Sequence, residues 1–298
     1  MMNSNYSQSG NFNELVLEHY NEFTKSEKRI ADLMRHNQDE AAFLSAGEIA
    51  KRLDLSEATM VRFAHTLGFD SYPALREALQ ENFRRRVTHS ARLRNRLDDL
   101  REAGDIFEKV TVLEIDYLTE ALQTVDREAL HKAVDYIDRC ERLFVFGTGP
   151  SVTLVHLLNL RLTRFGKQVV PLVYAGRETL EPMLLMTDRD LLFAIGFFDI
   201  NPTMQIVLDH AKEVGCPAIL LTDTLGSIIG EKVDIVLAAR RGPVSAFHSL
   251  VVPMTIINTL LLEIANKNQE AVTANLDNLD QLRERLRKSD GSMANKPR

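Results

Sequence analysis

The stretch Ser45-Ala-Gly-Glu-Ile-Ala-Lys-Arg-Leu-Asp-Leu-Ser-Glu-Ala-Thr-Met-Val-Arg-Phe-Ala-His-Thr-Leu-Gly68 reads as two short helices joined by a tight turn. Ile49, Ala50 and Leu53 share an apolar face at helical spacing, and Leu55 falls in the turn. Ser56 is the expected N-cap of the second helix. Val61, Phe63, Ala64 and Leu67 are its expected buried stripe. The opposite face is expected to turn Glu57, Thr59, Arg62 and His65 outward. A polar second helix fixed at an angle to a small first helix is the geometry that enters a DNA major groove.

Charge supports that reading locally rather than globally. The 298-residue chain carries a net charge of −6. Between Lys51 and Arg96, however, ten Lys and Arg residues face five acids, so this segment is +5 and the remainder −11. A basic block beside a reading helix suits contact with phosphates, and an acidic body suits another task. Arg84 to Glu102 is arginine-rich with few strong apolar positions. It is expected to be an exposed helical linker that either touches DNA or is simply solvated.

On the amino-terminal side, helices are expected from about Asn13 to Phe23 and from a cap at Thr24 or Ser26, with Ile30, Leu33 and Met34 inside. Gly68 ends the reading helix as a left-handed cap would. Pro73 opens the next helix in its first turn. The first half is therefore all-helical.

After Asp105 come two helical patterns, about Ile106–Leu122 and Arg127–Arg139, and then the rhythm changes. Short apolar runs at Arg142–Phe146, Gln168–Leu172, Asp190–Ile195, Ala218–Leu221 and Ile235–Leu237 alternate with amphipathic helices, the last being Phe247–Ala265. Continuous apolar runs are strands buried on both faces, and their alternation with helices implies a parallel sheet covered on both sides. The expected architecture is α plus α/β, a helical domain followed by a three-layer αβα sheet domain. The expected boundaries are a disordered tail at 1–12, a helix-turn-helix domain at 13–86, a linker helix at 87–104, the sheet domain at 105–266, and a helix and tail at 267–298. A helical pattern includes Leu276 and Leu279, and residues 289–298 are expected to fray.

Several function classes lack support. No apolar run reaches the roughly 18 residues of a membrane span, and the first ten residues lack the apolar core of a signal peptide. Cys140 and Cys216 have no metal-type neighbours and read as thiols of a cytoplasmic protein. No metal site or cofactor is expected, and no nucleophile elbow, metal-binding His pair or P-loop appears. Asp188 and Asp190 read as isolated surface acids.

In open α/β sheets ligands bind at the carboxyl ends of the strands. Gly147-Thr148-Gly149-Pro150-Ser151 follows a strand and opens a helix, so it is either an anion-binding turn or a tight turn without a ligand. Gly196, Phe197 and Asn201 leave the third strand, where Asn201 caps a helix or meets a ligand. Thr222 and Asp223 leave the fourth, where Asp223 caps a turn or meets a ligand. Ser245 and His248 lie before or in the first turn of the closing helix.

These residues carry a family resemblance. Ser56 to Phe69, with the Val61-Arg62-Phe63 and Leu67-Gly68-Phe69 core, followed by Tyr72-Pro-Ala-Leu-Arg76, resembles the amino-terminal domain of MurR/RpiR transcription regulators. The second half resembles their sugar isomerase (SIS) domain. The resemblance implies a regulator of a metabolic operon that acts as a homodimer or homotetramer on an operator in double-stranded DNA. Arg62 and His65 would face base edges, Ser56, Thr59 and the cluster Arg84, Arg85 and Arg86 would hold phosphates, and Lys51 and Glu57 would also lie at the DNA. It also implies a small-molecule effector, a sugar phosphate or related acid, held by Gly147, Thr148, Gly149, Ser151, Gly196, Phe197, Asn201, Thr222, Asp223, Ser245 and His248. The family's Ser-x-Ser-Gly-x-Thr loop is replaced here by Gly196-Phe-Phe-Asp199, which removes hydroxyl donors and adds a carboxylate. Two alternatives stay open: a sugar-phosphate isomerase with an accessory helical domain, and an SIS domain that serves only as a dimerisation scaffold.

Overall fold

The computed structural model of the chain describes residues 12–36, 41–86, 88–100, 104–174, 176–197, 202–223, 232–242 and 248–294. The chain divides into two compact units: Met1–Leu118 with Arg241–Ser249, and Thr119–Arg240 with Leu250–Arg298.

The first unit is helical. Helices α1 (Phe12–His19), α2 (Lys25–His36), α3 (Ala46–Leu53), α4 (Glu57–Thr66) and α5 (Tyr72–Arg86) surround a core of Phe12, Ile30, Met34, Ile49, Met60, Phe63 and Leu75. Phe12, expected in a disordered tail, begins α1 and is fully buried. Two of these helices start at reciprocal caps. Thr24 and Glu27 bond reciprocally ahead of α2, and Ser45 and Glu48 form a full capping box on α3. Gly68 sits at φ +83, and the Phe69 amide reaches back to the Ala64 carbonyl, closing α4 with a left-handed turn. Helix α6 (His89–Leu100) and the first part of α7 (Ile106–Thr124) complete the unit.

The second unit is a five-stranded, wholly parallel sheet in the order β2-β1-β3-β4-β5, made of β1 (Arg142–Gly147), β2 (Gln168–Leu172), β3 (Leu191–Ile195), β4 (Ala218–Thr222) and β5 (Ile235–Ala238). Its helices are α8 (Arg127–Arg139), α9 (Val152–Arg164), α10 (Arg177–Met183), α11 (Pro202–Glu213), α12 (Val251–Lys267) and α13 (Gln269–Ala294). Strands β3 and β4 are buried at every position, as their continuous apolar runs require. The closing helix starts at Val251, later than the Phe247 expected, so His248 precedes it. Helix α13 continues through Ala294, past the expected fraying point at Ser289.

Asp190 corrects an expectation. It is 1% exposed rather than a surface acid, because Arg142 at the start of β1 grips it with two bonds, Nε to Oδ1 at 2.9 Å and Nη2 to Oδ2 at 2.8 Å. The Thr187 amide and hydroxyl also donate to Oδ2. Burial alone would raise its pKa, but these donors outweigh it and hold the carboxyl below its ordinary 3.8. The group ties the amino ends of two neighbouring strands, β1 and β3.

Candidate nucleic-acid interface and effector crevice

Helix α4 buries Thr59, Met60, Phe63 and Ala64. That leaves Glu57, Ala58, Val61, Arg62 and His65 exposed on one continuous face. Two assignments therefore change. Thr59 is 8% exposed and Val61 is 39% exposed, the reverse of the expected pattern. The reason is helical phase: residues two apart lie about 200° apart around the axis, so Val61 cannot share a stripe with Phe63. The missed signal was the i, i+3, i+4, i+7 run Ala58, Val61, Arg62, His65.

Thr59 instead works from within. Its Oγ1 is 3.0 Å from the Ser56 hydroxyl and accepts a bond of 3.1 Å from the Arg62 guanidinium. Ser56 has the extended backbone of an N-cap but makes no side-chain bond to the helix amides, so its hydroxyl serves Thr59. Arg62 is thus held at the base of an exposed face.

A residue that sequence reasoning passed over fixes the rear of the helix. Glu27, buried on α2, accepts from the Thr66 hydroxyl at 3.1 Å while its other oxygen takes the Thr24 amide and hydroxyl at 2.8 Å each. Burial pushes its pKa up, but the Thr24 and Thr66 bonds and the Arg62 charge outweigh that and lower it. Phe23 packs on Phe63 with ring centroids 5.3 Å apart. The signal for Glu27 was its place three residues after the cap Thr24. Lys51, on α3, is exposed. The Arg84 and Arg85 side chains lie outside the described residues.

In the second unit, the strand order reverses direction between β1 and β3, the point where open α/β sheets form a ligand crevice. Gly147 ends β1 directly beside Ile195 at the end of β3. A Cβ on Gly147 would sit 2.8 Å from Val155 Cγ2 and 3.2 Å from Ser151 Cβ, so only glycine lets α9 start this close to the strand. Gly149, at φ +57, turns the chain into a short 3-10 turn over Gly149–Ser151. Ser151 is buried at 6% exposure, Thr148 is half-buried and Gly149 exposed.

Gly196 lies beside β4, its amide bonded to the Leu221 carbonyl, and Phe197 is buried. Thr222 is fully buried and Asp223 is half-buried. Gly147, Thr148, Gly149, Ser151, Gly196, Phe197, Thr222 and Asp223 thus all sit at the carboxyl ends of β1, β3 and β4. His248 is half-buried and belongs with segment 241–249 to the helical unit, not the sheet unit. Asn201 and Ser245 lie outside the described residues. Among the described residues no cluster of three or more His, Cys, Asp or Glu could hold a metal ion, and no helix is long and apolar enough to cross a membrane.

A helix-turn-helix unit joined to a doubly wound parallel sheet with a glycine-lined crevice defines a class of transcription regulator. The chain belongs to the rpiR family: residues 10–86 match the helix-turn-helix domain of that family and residues 136–263 match the SIS domain. An HTH-type transcriptional regulator of Haemophilus influenzae is 27% identical over 234 residues, covering 78% of this chain and 80% of that protein. The fold is similar to that of the Vibrio vulnificus NanR protein, solved in complex with ManNAc-6P, at a TM-score of 0.63 and 21% identity over 91% of this chain and 98% of that one. It is also similar to the sugar isomerase domain of an RpiR transcription factor from Sphaerobacter thermophilus, at a TM-score of 0.56 and 26% identity over 60% of this chain and 99% of that one.

Proposed function

We propose that the chain binds an operator through α4 as a homodimer or homotetramer, and that a small anionic metabolite in the SIS crevice controls this binding. The observation that carries the reading is the continuous exposed face Ala58-Val61-Arg62-His65. Arg62 suits the acceptors of a guanine edge, Val61 and Ala58 suit a thymine methyl, and His65 and Glu57 extend the readout. Lys51, Ser56, Arg84 and Arg85 take the phosphates that set register. Thr59 becomes a positioning residue for Arg62.

For the effector, the exposed Gly149 turn, the start of α9 and the positive helix end favour an anion. ManNAc-6P, the sugar phosphate with which NanR was solved, supports that chemical class. The loss of the family's hydroxyl loop at 196–199 favours a sugar acid or another anion with fewer hydroxyl contacts. The second unit acts here by binding rather than by turnover. The test is a fluorescence titration of promoter fragments with and without a panel of sugar phosphates and sugar acids. An anion that shifts the wild-type affinity at least tenfold, and fails to do so in Gly149→Asp, supports the reading. Unchanged affinity across the panel contradicts it.

A further inference from the structure

Helix α7 (Ile106–Thr124) is 19 residues long and rich in large apolar side chains, yet none of its residues is buried. A helix gains most of its stability in a protein from burying an apolar face, and one that is apolar around most of its circumference belongs in an interior. Val110, Leu113 and Tyr117 make one half-buried line. A second line is more exposed. Phe107, Thr111, Ile115, Leu118 and Leu122 follow one another at intervals of four or three residues, with Phe107 77% and Leu122 69% exposed, Ile115 and Val112 more than half exposed, and Leu118 half-buried among them. This amounts to roughly 500 Å² of apolar surface, at the upper end of what a monomer leaves uncovered.

We infer that this stripe is where two copies of the chain pair, antiparallel, α7 on α7. Area is the first argument: two such stripes bury about 1,000 Å² before any flanking residue is counted, the size at which a specific interface begins. Charge pattern is the second. Glu108 and Glu114 flank the stripe, and the Glu114 carboxylate already accepts the Ser249 hydroxyl at 2.6 Å. An antiparallel pair centred between Ile115 and Leu118 sets these two against each other across the twofold. It sets Glu108 opposite Val125 and Glu114 opposite Thr119, so no acid faces an acid. A parallel pair would oppose each glutamate to its own copy. The third argument is that each chain has one reading helix, while such helices read paired half-sites as dimers. This last argument rests on the function proposed above; the stripe itself does not.

The test is sedimentation of the full chain without DNA, so that its outcome is separate from operator recognition. The wild type is expected to be a dimer or a dimer of dimers. Ile115→Glu with Leu122→Glu, both on exposed positions, is expected to weaken pairing at least 100-fold with unchanged circular dichroism. In a Cys140→Ser background, Ile115→Cys is expected to give a covalent dimer with a short bismaleimide, and Leu286→Cys on α13 is not. A monomeric wild type, which would leave the stripe to another protein, overturns the inference. So does charge substitution without effect on assembly, or cross-linking at Leu286→Cys instead of Ile115→Cys.

Discussion

Two helix starts of this chain, those of α4 and α9, are built in opposite ways. At α4 the side chains lead: Ser56 and Thr59 bond to each other rather than to the helix amides, and Val61, Arg62 and His65 are exposed. At α9 the side chains are withdrawn: Gly147 and Gly149 carry none and Ser151 is buried. The difference follows from what each would recognise. Base pairs are told apart by donors, acceptors and methyls that only side chains can match, whereas an anion is met by amides and a helix end. Substitution of side chains should therefore silence α4, and addition of side chains should silence α9.

The largest effect expected is on the scaffold of the second site. Asp190→Ala leaves the Arg142 guanidinium without its buried carboxylate, and should cost about 3 kcal/mol of unfolding free energy in a urea titration. Operator binding by folded protein should change little. Because the folded-state pKa of Asp190 is depressed, its stabilisation is complete above the ordinary 3.8 and is lost as pH falls through the lower folded value. Glu27 has the same sign. Acid unfolding of the wild type should therefore be less steep in Asp190→Asn, checked by denaturation between pH 6 and pH 2.

Next comes the reading face. Arg62→Ala should weaken binding to a specific fragment by about 2 kcal/mol and relax preference at one base pair, read by titration of a set of single-base variants. Glu27→Gln, which keeps the shape but removes the charge behind Arg62 and Thr66, should lower stability by about 1.5 kcal/mol in thermal or urea unfolding. Gly147→Ala should cost about 1 kcal/mol or more through overpacking against Val155, and should impair effector binding more than DNA binding by free protein. The smallest change is Lys51→Ala, which should flatten the salt dependence of binding by about one unit of slope without altering sequence preference.

The strands were readable because burial on both faces leaves a local signature. Leu191–Ile195 and Ala218–Leu221 are unbroken apolar runs, and the structure places strands there within a residue. The helix-turn-helix pair was readable from caps and from Gly68. What escaped the sequence depended on partners far along the chain or on helical phase. Asp190 is buried because of Arg142, 48 residues earlier, and nothing beside Asp190 announces that. Val61 was grouped with Phe63 although the two point to opposite sides of α4. Glu27 lay in a legible capping box, but its bond to Thr66, 39 residues away, did not show. The apolar richness of α7 was legible as a helix, while its exposed second stripe was not, because sequence alone does not say how many sides of a helix the chain covers by itself.

The central claim is that α4 reads DNA with the face Ala58-Val61-Arg62-His65. Its most direct test is one fluorescence anisotropy series: wild type, Arg62→Ala and Val61→Asp on a specific promoter fragment and on a scrambled one, at several salt concentrations. The account predicts that the wild type prefers the specific fragment by at least 100-fold and that both variants lose most of this preference while keeping their residual, salt-sensitive binding to either fragment. Equal preference in all three proteins would remove this face from the interface and contradict the account.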